Sequence, residues 1–218
     1  MSNYQKKVQA LNFFAIQAEK EGKVLRKTNA LKLIYFADKK HLRESTIRTI
    51  TGDSYKAKQY GPVARDTIDL IETIALDREG EVDVSNIKYA KDFLDIHYDD
   101  SAQKRDGASQ SIRISSKKKV DDKVLSQSDI AALRAVWDAF HTFLTDDTSD
   151  DRLWQETHKY PEGAKFDDSQ TWEDIKIQEL ISTTKSGEND LLGDVQEEDL
   201  DEVRSLYHQR QAAWGVFE

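Results

Sequence analysis

The segment ALKLIYFADKKHL, residues 30–42, constrains the fold more than any other part of the chain. Its first two turns are apolar on nearly every side, which is typical of a helix that other elements surround. Thr28 is suited to cap such a helix, beginning near Asn29. Lys32 interrupts the apolar run, and a lysine there must find a polar partner or extend its ammonium group to water. The sequence therefore predicts a central core helix that contains one lysine.

Three further helices are predicted from apolar residues that recur every three or four positions. The first runs from about Asn3 to Lys20, and Gly22 follows it as a stop signal. The last runs roughly from Glu197 to Trp214. Between them, Ser126 and Asp129 give the clearest helix start, because serine suits the N-cap and an acidic residue suits the third helical position.

Three shorter helices carry weaker signals. One is predicted to begin at Gly61-Pro62, because proline at the first helical position loses no hydrogen bond. The others are predicted near Ser149 and over residues 171–182, whereas the charged stretch 77–86 is interpreted as a linker.

Alternating patterns predict a few short strands among these helices. Residues 54–60, SYKAKQY, alternate and follow a Thr-Gly-Asp turn. DFLDIHY, residues 92–98, and SIRIS, residues 111–115, are expected to pair as antiparallel strands across a long polar loop. The predicted fold is a predominantly helical α+β domain, with a small antiparallel sheet of two to four short strands.

Composition excludes several classes of protein and site. The chain has 218 residues and no cysteine, so disulfides, thiol nucleophiles and cysteine-based zinc sites are impossible. No apolar run approaches the roughly 20 residues of a membrane span, and the N-terminus lacks the apolar segment of a secretion signal. We therefore expect a cytoplasmic protein with no membrane association.

The charge is unevenly distributed along the chain. Residues 1–75 carry 14 Lys and Arg against 8 Asp and Glu, whereas residues 146–218 carry 7 against 20. An acidic final third suits a basic protein partner and disfavours nucleic acid, whose phosphates it would repel. Solubility alone is the alternative explanation of this charge.

Few groups of residues in the sequence have the spacing of a metal site or a catalytic motif. Asp38 and His41 share a helix face, and His158 could join them in a metal-binding or enzymatic site, although an ion pair between Asp38 and His41 is simpler. There is no G-x-S-x-G turn, no P-loop and no G-x-G-x-x-G. The sequence therefore predicts no cofactor and no catalytic residues.

The strand SYKAKQY offers one candidate contact surface. Tyr55, Lys56, Lys58 and Tyr60 could grip a single-stranded nucleic acid or a protein partner. The alternative is an edge strand whose lysines prevent aggregation.

Two motifs of the sequence together resemble the pattern of a known family. The first motif comprises Lys32, Leu33, Tyr35, Phe36, Ala37, Asp38, His41, Leu42, Thr51, Gly52, Asp53, Tyr55, Tyr60, Gly61, Pro62 and Val63. It resembles the signature of the Panacea domain, the domain of SocA-like antitoxins and phage-associated GepA proteins. LSQSDIAAL, from Leu125, and the segment with Thr157, His158 and Pro161 resemble the family's second half. Asp129 stands where the family usually has Glu, Leu153-Trp154 where it has Glu-Leu, and Gly163 near its usual Trp.

The resemblance implies a Panacea antitoxin domain at residues 1–166, followed by an acidic helical extension at residues 167–218. It implies a non-enzymatic antitoxin of a bacterial or phage toxin–antitoxin system, which neutralises a cognate toxin by direct binding. Some SocA-like members instead act as adaptors that deliver the toxin to a Clp-type protease, and this remains an alternative. Whether the chain forms a homo-oligomer is left open.

Most of the motif residues are expected to hold the fold, and the surface is expected to choose the partner. In the last helix, Leu200, Val203, Tyr207 and Trp214 share one face beside several acidic residues. This helix is predicted to dock into a basic groove of the toxin. The alternative is that its apolar face packs against its own domain.

Overall fold

The structure is a computed structural model that describes residues 3–45, 48–58, 61–76, 82–98, 111–145, 151–164, 173–185, 188–193 and 197–214. Its α-helices are α1 (Asn3–Lys20), α2 (Lys27–Ser45), α3 (Arg65–Leu76), α4 (Val84–Phe93), α5 (Gln127–Phe140), α6 (Arg152–His158) and α7 (Glu197–Trp214). Its strands are β1 (Leu25–Arg26), β2 (Tyr55–Lys58), β3 (Gly61–Ala64), β4 (Leu94–Tyr98), β5 (Ile112–Ser116) and β6 (Glu173–Ile175). Short 3₁₀ turns occupy His141–Phe143, Pro161–Ala164 and Ile177–Leu180.

The described residues confirm a predominantly helical α+β fold. Their strands form two three-stranded antiparallel sheets, a first sheet with the order β1-β5-β4 and a second with the order β3-β2-β6. The predicted pairing of β4 with β5 is confirmed, with Ile96 opposite Ile114. Both isoleucines are buried, because alternate residues of each strand face the core.

Helices α1 and α2 form the centre of the molecule. The predicted bounds of α1 are confirmed, and Gly22 follows it with a φ of 66°. The other helix begins at Lys27, slightly before the predicted start. Its apolar residues 33–37 are almost completely buried, as a surrounded helix requires.

The prediction of a helix beginning at Gly61-Pro62 is wrong. These residues begin β3, which forms a hairpin with β2 and places Gly61 opposite Lys58. Proline is tolerated there because β3 lies at the edge of its sheet. Helix α3 begins only at Arg65, where the carboxylate of Asp53 accepts hydrogen bonds from the backbone of Asp66, at 2.8 Å, and the next residue.

Other local predictions also need correction. Residues 173–175 form strand β6, which pairs with β2, and residues 177–180 form a single 3₁₀ turn instead of a helix. The stretch interpreted as a linker contains the start of α4, which Asp83 caps. Helix α6 begins at Arg152, while the predicted starts at Ser149 and Thr171 lie outside the described residues.

The C-terminal segment contributes to the same core as the rest of the chain. Leu180, Ile181, Leu192 and Leu200 are buried within the hydrophobic cluster that also includes α1 and α2. The division of the chain at residue 166 stays a prediction, but the part beyond it packs extensively against the part before it.

Candidate functional site

The carboxylate of Asp38 joins α2 to the turn before β2. It is completely buried, and its two oxygens accept hydrogen bonds from the Thr51 backbone at 3.0 Å, the Thr51 hydroxyl, and the Tyr55 hydroxyl at 2.7 Å. Burial raises the pKa of Asp38, although these hydrogen bonds act in the opposite direction. Asp38, Thr51 and Tyr55 therefore serve the internal structure, which gives this part of the motif a folding role.

A second carboxylate, that of Asp53 in the turn before β2, caps α3. The Asp53 side chain accepts from the Thr67 hydroxyl at 2.6 Å and lies 3.7 Å from the Lys7 ammonium group. Burial raises its pKa to about 6, with Lys7 opposing the shift. Gly52, between Thr51 and Asp53, has a φ of 63°, and a Cβ there would lie 2.4 Å from the side-chain amide nitrogen of Asn3. The positive φ therefore favours glycine at this turn, and the missing Cβ leaves room for the Asn3 side chain of α1.

Both halves of the family-like motif meet around Lys32. We call Lys32, Gly61, Pro62, Thr157 and His158 the Lys32 cluster. The lysine is 2% exposed, and its ammonium group lies 3.4 Å from the Pro62 carbonyl oxygen. A Cβ on Gly61 would lie 2.5 Å from the Thr157 hydroxyl oxygen and 2.8 Å from the Lys32 nitrogen. Since one added carbon would collide here, the cluster is a tightly packed joint between α2, β3 and α6.

Lys32 and His158 are less basic in this joint than they are in water. Burial lowers the pKa of Lys32 to about 7. Burial also lowers the pKa of His158, and the nearby Lys32 charge adds to that effect. The His158 Nδ1 lies 2.8 Å from the Trp154 carbonyl oxygen, to which a neutral imidazole protonated at Nδ1 donates. Lys32 is therefore the group of this joint whose charge changes near pH 7.

A buried ion pair connects α2 to the C-terminal segment. Lys39 and Glu162 are almost wholly inaccessible, and their charged atoms lie 2.8 Å apart. Tyr35 donates to the same carboxylate at 2.7 Å and Ser182 at 2.8 Å, while Lys39 also donates to the Leu180 carbonyl at 2.9 Å. The carboxylate and the ammonium group thus each have several partners, as buried charges require.

The pKa shifts agree with an ionised pair. Burial alone would raise the pKa of Glu162, but the Lys39 charge and the hydrogen bonds from Lys39 and Tyr35 outweigh it and lower the pKa. Burial lowers the pKa of Lys39 to about 8, although Glu162 opposes this shift. Both groups are therefore charged at pH 7.

One turn further along α2, Arg43 makes a similar connection. Its guanidinium donates to the Asp190 carboxylate at 2.8 Å and to the Ser182 carbonyl oxygen. The Tyr160 hydroxyl donates to the other Asp190 oxygen at 2.5 Å. These contacts fix Ser182 and Asp190 against α2.

The N-terminus of α5 forms a third polar joint. The predicted capping box of Ser126 and Asp129 is confirmed. The Asp129 carboxylate also lies 2.5 Å from the ammonium group of Lys6 and 3.3 Å from Nε2 of His41. Burial would raise the pKa of Asp129, but Lys6 and the Ser126 hydrogen bonds lower it. Helices α1, α2 and α5 are therefore held together at one carboxylate.

The three residues proposed for a metal or enzymatic site do not converge. Asp38 faces the turn before β2, His41 contacts Asp129 and the backbone, and His158 belongs to the Lys32 cluster. Among the residues that the structure describes, no three His, Asp or Glu side chains are grouped so that they could hold a metal ion. The geometry therefore gives this alternative no support.

The candidate contact residues of β2 divide between core and surface. Tyr55 is 1% exposed, so the expectation that it is exposed to a partner is wrong. Lys56 and Lys58 face the other side of the strand and are partly exposed, with Lys56 3.3 Å from the Asp174 carboxylate. Tyr60 lies outside the described residues.

Helix α7 packs its apolar stripe against its own domain. Leu200 is fully buried, and Val203 and Tyr207 are half-buried against the core. Arg204 donates to the Ile181 carbonyl oxygen at 2.8 Å. The alternative interpretation of this stripe is therefore the one observed, while the side chain of Trp214 lies outside the described residues.

Comparison with known proteins agrees with the motif. A family model described as Antitoxin SocA-like, Panacea domain, matches residues 31–159, more than half of the chain. The chain belongs to this family. Comparisons with curated proteins and with solved structures gave no match. The Panacea domain gives the chain a role related to toxin–antitoxin systems and suggests a toxin as partner and a non-enzymatic role. In the described part of the chain, no helix is long and apolar enough to cross a membrane.

The structural unit around the Panacea match is larger than the match itself. Helix α1 precedes it, yet Lys6 and Lys7 of this helix form ion pairs with the buried carboxylates of Asp129 and Asp53. Glu162 and Asp190 follow it, yet neutralise the cations Lys39 and Arg43 inside it.

Sequence reasoning missed the partners of Lys39 and Arg43. Both cations continue the helix that contains the apolar run 33–37, and this position could have indicated burial. Glu162 follows Pro161 in a polar stretch, so no local pattern marked it as a core residue.

Proposed function

We propose that this chain is an antitoxin that neutralises a cognate protein toxin by binding it directly. The Panacea match over residues 31–159 carries the proposal. The bonding of the polar motif residues supports it, because Asp38 and Asp53 are occupied by hydrogen bonds inside the fold. Recognition of a partner then falls to the outer surface.

The exposed carboxylates at the start of α7 are the proposed contact with the toxin. Glu198, Asp199 and Glu202 are exposed, whereas Leu200 in the same turns is buried in the core. The helix therefore presents a fixed acidic face, which suits a basic surface on the partner. Lys56 and Lys58 on β2 are a second proposed contact, and Tyr60 and Trp214 stay predictions.

Co-expression with the product of the neighbouring gene tests the antitoxin function. We expect the neighbouring protein to inhibit growth when expressed alone, and co-expression to restore growth. A stable complex should then co-elute in size-exclusion chromatography. Growth rescue without a complex would contradict neutralisation by binding, and a harmless neighbouring protein would remove the main support for the antitoxin function.

A charge-reversal variant tests the proposed surface. We expect Glu198→Lys combined with Asp199→Lys and Glu202→Lys to weaken the complex at least about tenfold, since like charges would then face each other. The matched control reverses three exposed carboxylates elsewhere, Asp92, Asp122 and Asp138, and so changes the net charge equally. The control should bind like the wild type, as measured by calorimetry.

Equal binding by both variants would exclude the acidic face of α7 as the contact with the toxin, but it would not contradict neutralisation by direct binding. Truncation of the chain before α7 is a poorer test, because it removes the buried Leu200 together with the acidic face.

A further inference from the structure

Three basic residues lie in one row across the first sheet. The register places Arg113 of β5 directly opposite Arg26 of β1 on one side and opposite His97 of β4 on the other. Directly opposed residues of antiparallel strands share a face, and neighbouring strands lie about 5 Å apart, so the row spans roughly 10 Å. The buried Ile96 and Ile114 occupy the opposite face, so Arg113 and His97 lie on the outer face, whereas the Arg26 guanidinium donates to the Thr145 carbonyl oxygen at 3.2 Å and its Nε is buried.

This arrangement does not serve the stability of the sheet. Like charges directly opposite each other destabilise a strand pair. Among the described residues, the guanidinium of Arg113 makes no hydrogen bond or ion pair, although it stands between the other two bases. A residue whose charge opposes local stability, and to which no described residue is bonded, is a candidate for a functional one.

The neighbouring surface adds further positive charge. Asp95 and His97 lie two residues apart on β4, with side chains 53% and 50% exposed and with the His97 Nδ1 3.5 Å from an Asp95 carboxylate oxygen. The Lys117 ammonium group, just beyond β5, lies 3.8 Å from the same carboxylate. A lysine and a histidine therefore lie beside one carboxylate on this face, and Arg113 is the next base across the strand pair.

We propose that the outer face of the first sheet, centred on Arg113, binds an acidic segment of a protein partner. Carboxylates at roughly 5 Å spacing match neighbouring bases of this row, and the Arg113 guanidinium can hold one of them in a two-pronged hydrogen bond. This surface is distinct from the acidic face of α7, so the proposal does not depend on how the toxin is bound.

A short acidic segment suits the chain better than a nucleic acid does. The formal net charge of −9 repels an extended polyanion, whose phosphates continue well beyond this face. A few carboxylates within a protein segment experience mainly the local row of bases, because salt screens charges beyond about 10 Å.

Binding of a labelled hexaglutamate peptide to the full chain tests the proposal. We expect fluorescence anisotropy to report binding that weakens as salt rises, and Arg113→Gln to weaken it about tenfold, the loss of one charge-assisted hydrogen bond. Arg134→Gln, at an exposed position of α5, is the matched control and should bind like the wild type.

Thermal unfolding of the same variants provides a second readout with a definite sign. Because Arg113 opposes like charges across the sheet, Arg113→Gln should leave the melting temperature unchanged or raise it. A lower melting temperature would show that Arg113 supports the fold and would overturn the proposal. The proposal would also be overturned if the wild type did not bind the peptide, or if Arg113→Gln bound it equally well. Preferential binding of dodecathymidylate through Arg113 would overturn it too, because the partner would then be a nucleic acid.

Discussion

Replacing Glu162 by glutamine should lower the free energy of unfolding by about 3–5 kcal/mol, because it leaves a buried ammonium group without its counter-charge. Lys39 has no exposed surface and lies 2.8 Å from the Glu162 carboxylate. Glutamine preserves the size of the side chain, and its single amide oxygen can still accept the hydrogen bond from Tyr35, while its amide nitrogen takes the place of the oxygen that accepts from Ser182. The loss should therefore report the charge of Lys39 and should lower the melting temperature by roughly 10 °C.

Glu44→Gln on the same helix is the matched control. Glu44 pairs with Lys40 at 2.9 Å, but its side chain is 55% exposed, so its removal should cost less than about 1 kcal/mol. Urea unfolding at pH 7 measures both variants. Adding Lys39→Met to Glu162→Gln should recover most of the loss, because the uncompensated charge is then gone. Similar losses for Glu162→Gln and Glu44→Gln would contradict the assignment of a buried ion pair.

Long periodic segments of this chain were predictable because one local pattern determines them. The bounds of α1 and α7 were predicted from apolar spacing, and the α5 cap from Ser126 and Asp129. The β4–β5 pairing followed from alternation in both strands. In each case the residues that form the element also carry the signal.

Elements that depend on distant residues were not predictable in the same way. Gly61-Pro62 suits both a helix start and an edge strand, and contacts with Lys32 and Thr157 accompany the strand. Strand β6 is three residues long and pairs with β2, far earlier in the chain. No alternation develops over so short a strand, so local propensity favoured a helix there.

The candidate sites show the same division. The motif residues were identified from the sequence, but their burial was not, so Tyr55 was expected on the surface and lies in the core. Lys39 and Glu162 are 123 positions apart, and neither lies in a pattern that points to the other. Pairing across such distances depends on the packing of whole elements, which a single sequence does not display.

Replacing Lys32 by methionine should stabilise the protein at pH 6, in contrast to most substitutions in a core. Burial lowers the pKa of Lys32 to about 7 from its ordinary 10.5. This shift corresponds to a cost of roughly 5 kcal/mol for the buried charge. Loss of the polar contacts of the ammonium group, which include the hydrogen bond to the Pro62 carbonyl oxygen, offsets about 2 kcal/mol. We expect a net gain of about 2–3 kcal/mol, which raises the melting temperature by roughly 5–10 °C.

The pH dependence of the free energy of unfolding determines how the effect of Lys32→Met should change with pH. Below pH 7 both the folded and the unfolded chain carry the Lys32 proton, so the cost of its burial is constant. Between pH 7 and 10.5 the unfolded chain holds a proton that the folded chain lacks, so the contribution of Lys32 to the free energy of unfolding rises with pH. The advantage of Lys32→Met should therefore shrink across this range.

Lys88→Met, at an exposed position of α4, separates the effect of burial from that of lost charge. Removal of an exposed lysine should leave the free energy of unfolding within about 0.5 kcal/mol of the wild type at both pH 6 and pH 10. If Lys32→Met instead destabilises the protein equally at both pH values, the ammonium group stabilises the joint between α2, β3 and α6. The Lys32 cluster would then be held together by its charge, and a pKa near 7 for Lys32 would be wrong.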